Sequence, residues 1–128
     1  MHVVTALAAV VFTCKDLDKS VLFYKALGFE VRETKHGGVV HHTCSLGGCH
    51  FALYAHDGVE RGPQSAVQIG VMVTNLEGAI ASVRAAGGNV MQKPTPKPWG
   101  ITALVEDPDG RKVELVNTSS EQTGPMPF

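Results

Sequence analysis

A single carboxylate lies in the middle of a short apolar segment near the end of the chain. The segment Lys112–Val116 reads as a strand, and it follows the Asp-Pro-Asp-Gly sequence at 107–110, whose residue types are typical of a tight turn. Side chains alternate along a strand, so Val113 and Leu115 point to one face while Glu114 points to the other. Glu114 therefore lies either on a solvated sheet face or in the wall of a concave site.

Histidines and cysteines are concentrated in the first half of the chain, in a predicted hairpin that holds His41, His42, Cys44, Cys49 and His50. These residue types bind metals, but the spacing of the two cysteines follows from a tight turn and does not match the paired Cys-x-x-Cys sets of zinc sites. Histidines on amphipathic strands usually bond to neighbours or water. Nucleophilic catalysis finds little support, because the sequence has no Gly-x-Ser-x-Gly elbow and no glycine-rich phosphate loop.

Composition restricts the classes of function. A chain of 128 residues with 44% hydrophobic and 18% charged residues is typical of one globular domain. The net charge of −1 gives no reason to expect nucleic acid or an anionic membrane as partner. Three cysteines without framework spacing indicate a reducing compartment. The apolar run Val3–Phe12 lacks a preceding basic flank and is too short to span a bilayer, so we expect a cytoplasmic protein.

The chain contains two copies of one unit. Ala9–Val31 aligns without a gap with Gln68–Val90, and the segment 46–53 aligns with 108–115. The repeat predicts a single domain made of module one at about 5–60, a linker at 57–64, module two at about 64–118 and a loose tail at 119–128.

Each copy is predicted to fold as a βαβββ unit. An apolar strand, Leu7–Thr13 or Val67–Val73, precedes a helix that begins after Asp16 or Asn75, whose side chains can accept a free N–H of the first turn. Apolar residues at 3.6-residue spacing predict that one face of each helix packs on a sheet, and glycines end both helices. The remaining strands are predicted at 29–35, 39–45, 50–55, 90–93, 101–105 and 112–116.

The element order and three segments resemble the vicinal oxygen chelate superfamily. The segments are DLDKSVLFYKALGFEV at 16–31, PWG at 98–100 and EDPDGRKVELV at 106–116. That superfamily includes glyoxalase I (lactoylglutathione lyase), extradiol dioxygenases, fosfomycin-resistance enzymes and bleomycin-resistance proteins. The resemblance implies an α+β fold in which two tandem βαβββ modules form a curved mixed-sheet cup. It also implies that Glu114 faces the cup, and that members dimerise, sometimes by exchanging modules.

The resemblance further implies where a metal would bind. In the metal enzymes of the superfamily, four cup-facing positions hold a divalent ion, with His or Gln at the first and third and commonly Glu at the second and fourth. The matching positions here are Ala9, Ala52, Gln68 and Glu114. Two methyl groups, an amide and one carboxylate fall short of a dedicated donor set. We therefore expect no metal, with a displaced Ni²⁺, Zn²⁺ or Mn²⁺ site at Gln68, Glu114 and His50 as the alternative.

A cup without a strong metal site can still bind an organic molecule. Its expected lining is Ala9, Val11, His50, Ala52, Tyr54, Gln68, Gly70, Met72, Trp99 and Glu114, and the ligand-binding residues among these are Trp99, Tyr54, His50, Met72, Gln68 and Glu114. Trp99 is either a stacking platform or a hydrophobic plug. Glu114 either favours a cationic or hydrogen-donating ligand or forms an ion pair with Arg111, Lys112 or a partner chain.

Three hypotheses follow from these residues. The first is a metal-free homodimer that binds a small organic molecule. The second is a divalent-metal lyase or isomerase resembling glyoxalase I, in which Glu114 is a metal ligand or base. The third is an interaction module whose cup is vestigial.

Overall fold

The computed structural model describes residues 2–117, with the side chain of His36 excepted. The elements in chain order are β1 (Ala9–Cys14), α1 (Leu17–Leu27), β2 (Arg32–His36), β3 (Val39–Leu46), β4 (Cys49–Ala55), β5 (Gln68–Met72), α2 (Leu76–Ala85), β6 (Asn89–Lys97), β7 (Gly100–Glu106) and β8 (Lys112–Asn117). The predicted tail at 119–128 lies outside the described residues. The predicted α+β fold of two βαβββ modules is confirmed.

The strands form two four-stranded mixed sheets, in the orders β1-β4-β3-β2 and β5-β8-β7-β6. The first strand of each module runs parallel to the last, and the other pairs are antiparallel. Val11 lies opposite Ala52 in the first sheet, and Gly70 lies opposite Glu114 in the second. These are equivalent positions of the sequence repeat, so the two modules have the same register at the centre of the sheet.

Side-chain caps begin both helices where the sequence predicts. The Asp16 carboxylate accepts a hydrogen bond from the backbone N–H of Lys19 at 3.1 Å, and the Asn75 side-chain oxygen accepts one from Gly78 at 2.9 Å. Caps of this kind stabilise a helix by about 1 kcal/mol each. Gly28 ends α1 with a φ of 103°, a left-handed conformation that glycine adopts without steric cost.

One hydrophobic core is shared by both modules. Its buried residues include Phe12, Phe23 and Leu53 of module one together with Val113 and Leu115 of module two. Each sheet therefore turns its helix-facing side toward a common centre. Because side chains alternate along a strand, the faces that carry the cup residues turn away from that centre. Within the described residues of one chain, no strand of one sheet pairs with a strand of the other.

Hydrogen bonds within a buried polar cluster join module two to module one. Tyr24 donates its hydroxyl hydrogen to Asp107 Oδ2 at 2.7 Å, and Arg111 Nη1 donates to the same oxygen at 3.1 Å. Arg111 also donates to the backbone carbonyl of Thr13 at 2.8 Å and lies 4.2 Å from the centre of the Phe12 ring. Burial, followed by the neighbouring Asp107 charge, raises the pKa of Tyr24 above its usual range.

The turn at 107–110 is formed as the sequence predicts, and its two aspartates have different roles. Asp107 makes the local backbone contacts, because its Oδ1 accepts from the N–H groups of Asp109 at 2.9 Å and Arg111 at 3.0 Å. Asp109 instead reaches module one, where its Oδ1 accepts the backbone N–H of Lys15 at 3.0 Å. The turn is thus a structural contact between the modules.

Strand β6 is longer than predicted. It was expected at 90–93 but runs to Lys97 through Pro94 and Pro96, with register shifts against β7 between Val90 and Gln92 and between Gln92 and Thr95. Proline lacks an N–H and is tolerated at a sheet edge, which is where β6 lies. The extension matters because it carries Lys97 to the cup face. Neither helix of the described chain is long and apolar enough to cross a membrane.

Candidate functional site

Glu114 lies at the centre of the module-two cup face, on the side of the sheet opposite the core. Its Oε2 accepts a hydrogen bond from the side-chain amide of Gln68 at 3.3 Å. Its Oε1 lies 4.0 Å from the ammonium nitrogen of Lys97, and only 12% of the Glu114 side chain is exposed. Lys97, and not Arg111 or Lys112, is therefore the cation beside Glu114. Arg111 is not the ion-pair partner of Glu114, because its guanidinium is buried in an ion pair with Asp107.

Lys97 also lies over the indole of Trp99, with its ammonium nitrogen 5.6 Å from the ring centre. Trp99 is half-buried in the connection between β6 and β7, and its Nε1 is buried with no hydrogen-bond partner in the part of the chain that the structure describes. Gln68, Glu114, Lys97 and Trp99 thus form a continuous row, called here the Glu114 cluster. The sequence indicated the other three residues but not Lys97. The prolines at 94, 96 and 98 predicted that β6 ends before Lys97, whereas the strand includes it.

An apolar surface adjoins the Glu114 cluster on the same sheet face. Met72 is 64% exposed at the end of β5, and Gly70 before it is exposed opposite Glu114. The row across the sheet from Met72 continues with Val116 and Thr102, which are both buried. The Thr102 hydroxyl oxygen is buried, and none of the described residues is its hydrogen-bond partner. The face combines an exposed thioether, an indole and few polar groups.

The module-one cup face has a different character. His50 is exposed and lies opposite Ala9, whereas Ala52 at the centre of the face is buried. Tyr54 stacks on the imidazole of His41, with ring centres 4.3 Å apart and planes 7° from parallel. Sequence analysis placed His41 only in a histidine-rich hairpin. The contact between His41 and Tyr54 could have been predicted from the sequence, because the register of the hairpin determines which residues lie opposite each other.

The predicted site residues fall into two groups within one chain. Gln68, Glu114 and Trp99 belong to the Glu114 cluster, and Met72 lies on the same sheet face. His50 and Tyr54 belong to the other sheet, and no hydrogen bond, ion pair or ring contact between described residues links them to the first group. The edge strands β1 and β5 lie beside the two groups, and Val11 on β1 is 57% exposed.

The residues at the four family metal positions do not fit a divalent ion. Ala9 and Ala52 offer no donor atom. The Gln68 amide already donates to Glu114, and an ammonium group lies 4.0 Å from the remaining carboxylate oxygen. Among residues 2–117, no group of three or more His, Cys, Asp or Glu side chains is placed to hold a metal. Within one chain the displaced set is also divided, because His50 lies on the first sheet and Gln68 and Glu114 lie on the second.

The cysteines of the described chain are free thiols. Cys14 is fully buried, as predicted for a small hydrophobic residue, and burial raises the pKa of its thiol. Burial, followed by the charge of Glu30, also raises the pKa of Cys44. A raised pKa lowers the thiolate fraction, so neither thiol has the environment of an activated nucleophile.

Two concave regions border the cup faces. A largely apolar groove of about 780 Å³ runs between β5 and module one, and its walls include Gln68 and Met72 together with Phe29, Leu46 and Val10. A smaller cleft of about 380 Å³ lies between the linker and the turn at 107–110. Ile69, Val71 and Val73 also line this groove, so it follows the edge of β5 and extends to the core side of that strand.

Comparison with known proteins gives one family. The family model described as Glyoxalase/Bleomycin resistance protein/Dioxygenase superfamily matches residues 6–115. Lactoylglutathione lyase of Haemophilus influenzae is 31% identical over 121 residues, which cover 85% of this chain and 90% of that protein. Among solved structures, the hypothetical protein SA1046 of S. aureus is 25% identical with a TM-score of 0.66, covering 91% of this chain and 99% of that one. TnmS3, an antibiotic binding protein from Streptomyces sp. CB03234, is 20% identical with a TM-score of 0.67, covering 93% and 100%. The chain therefore belongs to the glyoxalase/bleomycin resistance protein/dioxygenase superfamily.

Proposed function

We propose that this protein is a metal-free homodimer that binds a small organic molecule on the cup face around Glu114. The observation that carries the proposal is the state of Glu114. One of its oxygens accepts the Gln68 amide and the other faces Lys97, so the only carboxylate at the family metal positions is already compensated by protein groups. A carboxylate in that state is poorly available to a divalent ion.

The side chains around Glu114 suit an organic ligand. Trp99 and the exposed Met72 supply polarisable apolar surface, and a few polar groups remain to orient a ligand. An antibiotic binding protein of the same fold, TnmS3, shows that the architecture is compatible with such a role.

A second copy of the chain would complete the cup. Strands β1 and β5 are sheet edges in the described chain, and edges that carry exposed apolar residues such as Val11 and Met72 favour pairing with another strand. If β1 of one copy lies along β5 of the other, a two-fold axis repeats the contact twice. His50 and Tyr54 of one copy then face the Glu114 cluster of the other.

The cytoplasmic location stays a prediction.

The lyase is the second candidate, because the chain is 31% identical to a lactoylglutathione lyase over 90% of that protein. It keeps Gln68 and Glu114 at two of the four family positions. A second copy of the chain carries the same alanines, Ala9 and Ala52, at the other two positions, so dimerisation does not supply the missing donor atoms. The binder is therefore the better supported of the two functions.

The test is a ligand screen on protein kept in EDTA, with melting temperature and Trp99 fluorescence as readouts. Organic molecules that raise the melting temperature and change Trp99 emission support the proposal. Their affinity should fall in Met72→Ser and not in Met91→Ser, a matched change at an exposed methionine on β6. Turnover of the methylglyoxal–glutathione hemithioacetal only after addition of Ni²⁺ or Zn²⁺, without any binder in EDTA, would establish the lyase instead.

A further inference from the structure

We propose that the ligand of the module-two cup is an organic anion with a flat apolar body, and that Lys97 is the residue that selects it. This inference rests on the proposed function and gives the ligand class of the same site. It reverses the expectation from sequence, in which Glu114 would attract a cationic ligand. The reversal comes from Lys97, whose position the sequence did not reveal.

The Glu114 carboxylate is the less accessible of the two charges in the site. Glu114 accepts the Gln68 amide at 3.3 Å and lies 4.0 Å from the Lys97 ammonium, with 12% of its side chain exposed. A ligand cation that approached Glu114 would meet the ammonium group of Lys97 and be repelled by it. It would also have to displace the Gln68 amide or share its oxygen.

The Lys97 ammonium group is the more accessible of the two charges. The Lys97 side chain is 30% exposed, more than twice the exposed fraction of Glu114. Its separation of 4.0 Å from the carboxylate exceeds hydrogen-bond length, and no hydrogen bond between described residues engages its ammonium nitrogen. The ammonium group has three N–H donors. A ligand oxygen with negative charge would form a charge-assisted hydrogen bond there.

Neighbouring groups favour the same kind of ligand. Trp99 Nε1 is buried and has no hydrogen-bond partner among residues 2–117, and an indole nitrogen can only donate. The Trp99 ring already attracts a cation on its face at 5.6 Å, so it holds the Lys97 side chain beside the site. Trp99 and Met72 can contact the flat body of the ligand.

The test uses two dyes that share a ring system and differ in charge. Anilinonaphthalene sulfonate carries a sulfonate group, and N-phenylnaphthylamine is uncharged. Both are titrated into the EDTA-treated protein, with dye emission and quenching of Trp99, the only tryptophan, as readouts. We expect the wild-type protein to bind the sulfonate about tenfold more tightly, the effect of one charge-assisted hydrogen bond.

Variants assign the preference to one side chain. Lys97→Met should abolish the preference for the sulfonate while the uncharged dye binds as before. Lys97→Arg keeps the charge and should keep the preference. Lys93→Met removes the same charge from an exposed position on the same strand and should change neither affinity. Circular dichroism confirms that each variant is folded.

The outcomes separate the ligand class from the function. Equal affinity of the wild-type protein for both dyes, or a preference that persists in Lys97→Met, would overturn the anion proposal and leave the binder intact. Failure of both dyes to bind, with Trp99 emission unchanged, would count against the anion proposal and against an apolar cup together.

Discussion

Replacement of Asp107 by alanine should weaken the packing of the two modules more than any surface change. The Asp107 carboxylate is fully buried and accepts four hydrogen bonds, from the Tyr24 hydroxyl, the Arg111 guanidinium and the backbone N–H groups of Asp109 and Arg111. The variant would leave the Arg111 charge buried without its main partner. It would also leave the Tyr24 hydroxyl without an acceptor.

The expected loss in the free energy of unfolding is about 3 kcal/mol. Breaking a buried ion pair by removal of one partner typically costs about 3–5 kcal/mol. The lower end applies here because Asp109 Oδ2 stays 3.5 Å from Arg111 Nη1 and can compensate part of the charge. Since a domain of this size is stable by about 5–15 kcal/mol, the variant should fold but be much less stable.

Urea unfolding followed by circular dichroism measures this loss. With a slope of about 2 kcal/mol/M, the midpoint should fall by about 1.5 M. Tyr24→Phe removes one hydrogen bond and should cost about 1–2 kcal/mol. Asp57→Asn is the control, because the Asp57–Arg61 pair is exposed and its loss should leave the midpoint unchanged. A midpoint for Asp107→Ala equal to that of Asp57→Asn would refute the role assigned to the cluster.

Three further predictions concern ionisation, assembly and binding. Tyr24 should stay neutral well above pH 10, because its folded pKa is raised from 10.0. Its stabilisation is complete below pH 10 and declines above it, so alkaline absorbance, compared with that of Tyr24→Phe, should show the Tyr24 phenol ionising only on unfolding. Met72→Lys should convert the proposed dimer to monomer in light scattering, whereas Leu22→Lys, at an exposed position on α1, should not; monomeric wild-type protein would contradict the pairing of β1 with β5. Glu114→Gln should free Lys97 and tighten binding of anilinonaphthalene sulfonate, and weaker binding would show that the carboxylate itself contacts the ligand.

Local signals in the sequence predicted much of the fold. The caps at Asp16 and Asn75, the glycine at the end of α1 and the buried Cys14 each depend on a few neighbouring residues, and the structure confirms them. The internal repeat placed Glu114 at the centre of a strand and on the face away from the core, since alternation along a strand fixes the side of every residue.

Contacts between distant segments were not predictable in the same way. The bonds from Asp107 and Arg111 to module one join residues far apart in the chain, and no local pattern distinguishes them from an ordinary turn. The repeat likewise gives two equivalent modules without the contacts between them. Lys97 was missed because prolines indicate the end of a strand, whereas here they lie on an edge.

The most direct test of a metal-free site is a calorimetric titration of Ni²⁺, Zn²⁺ and Mn²⁺ into chelator-stripped protein, repeated on Glu114→Ala. If Gln68 and Lys97 compensate the carboxylate as the structure indicates, binding should be weak and should not change in the variant. Tight binding of one ion per site that disappears in Glu114→Ala would contradict the proposal and direct attention to the lyase.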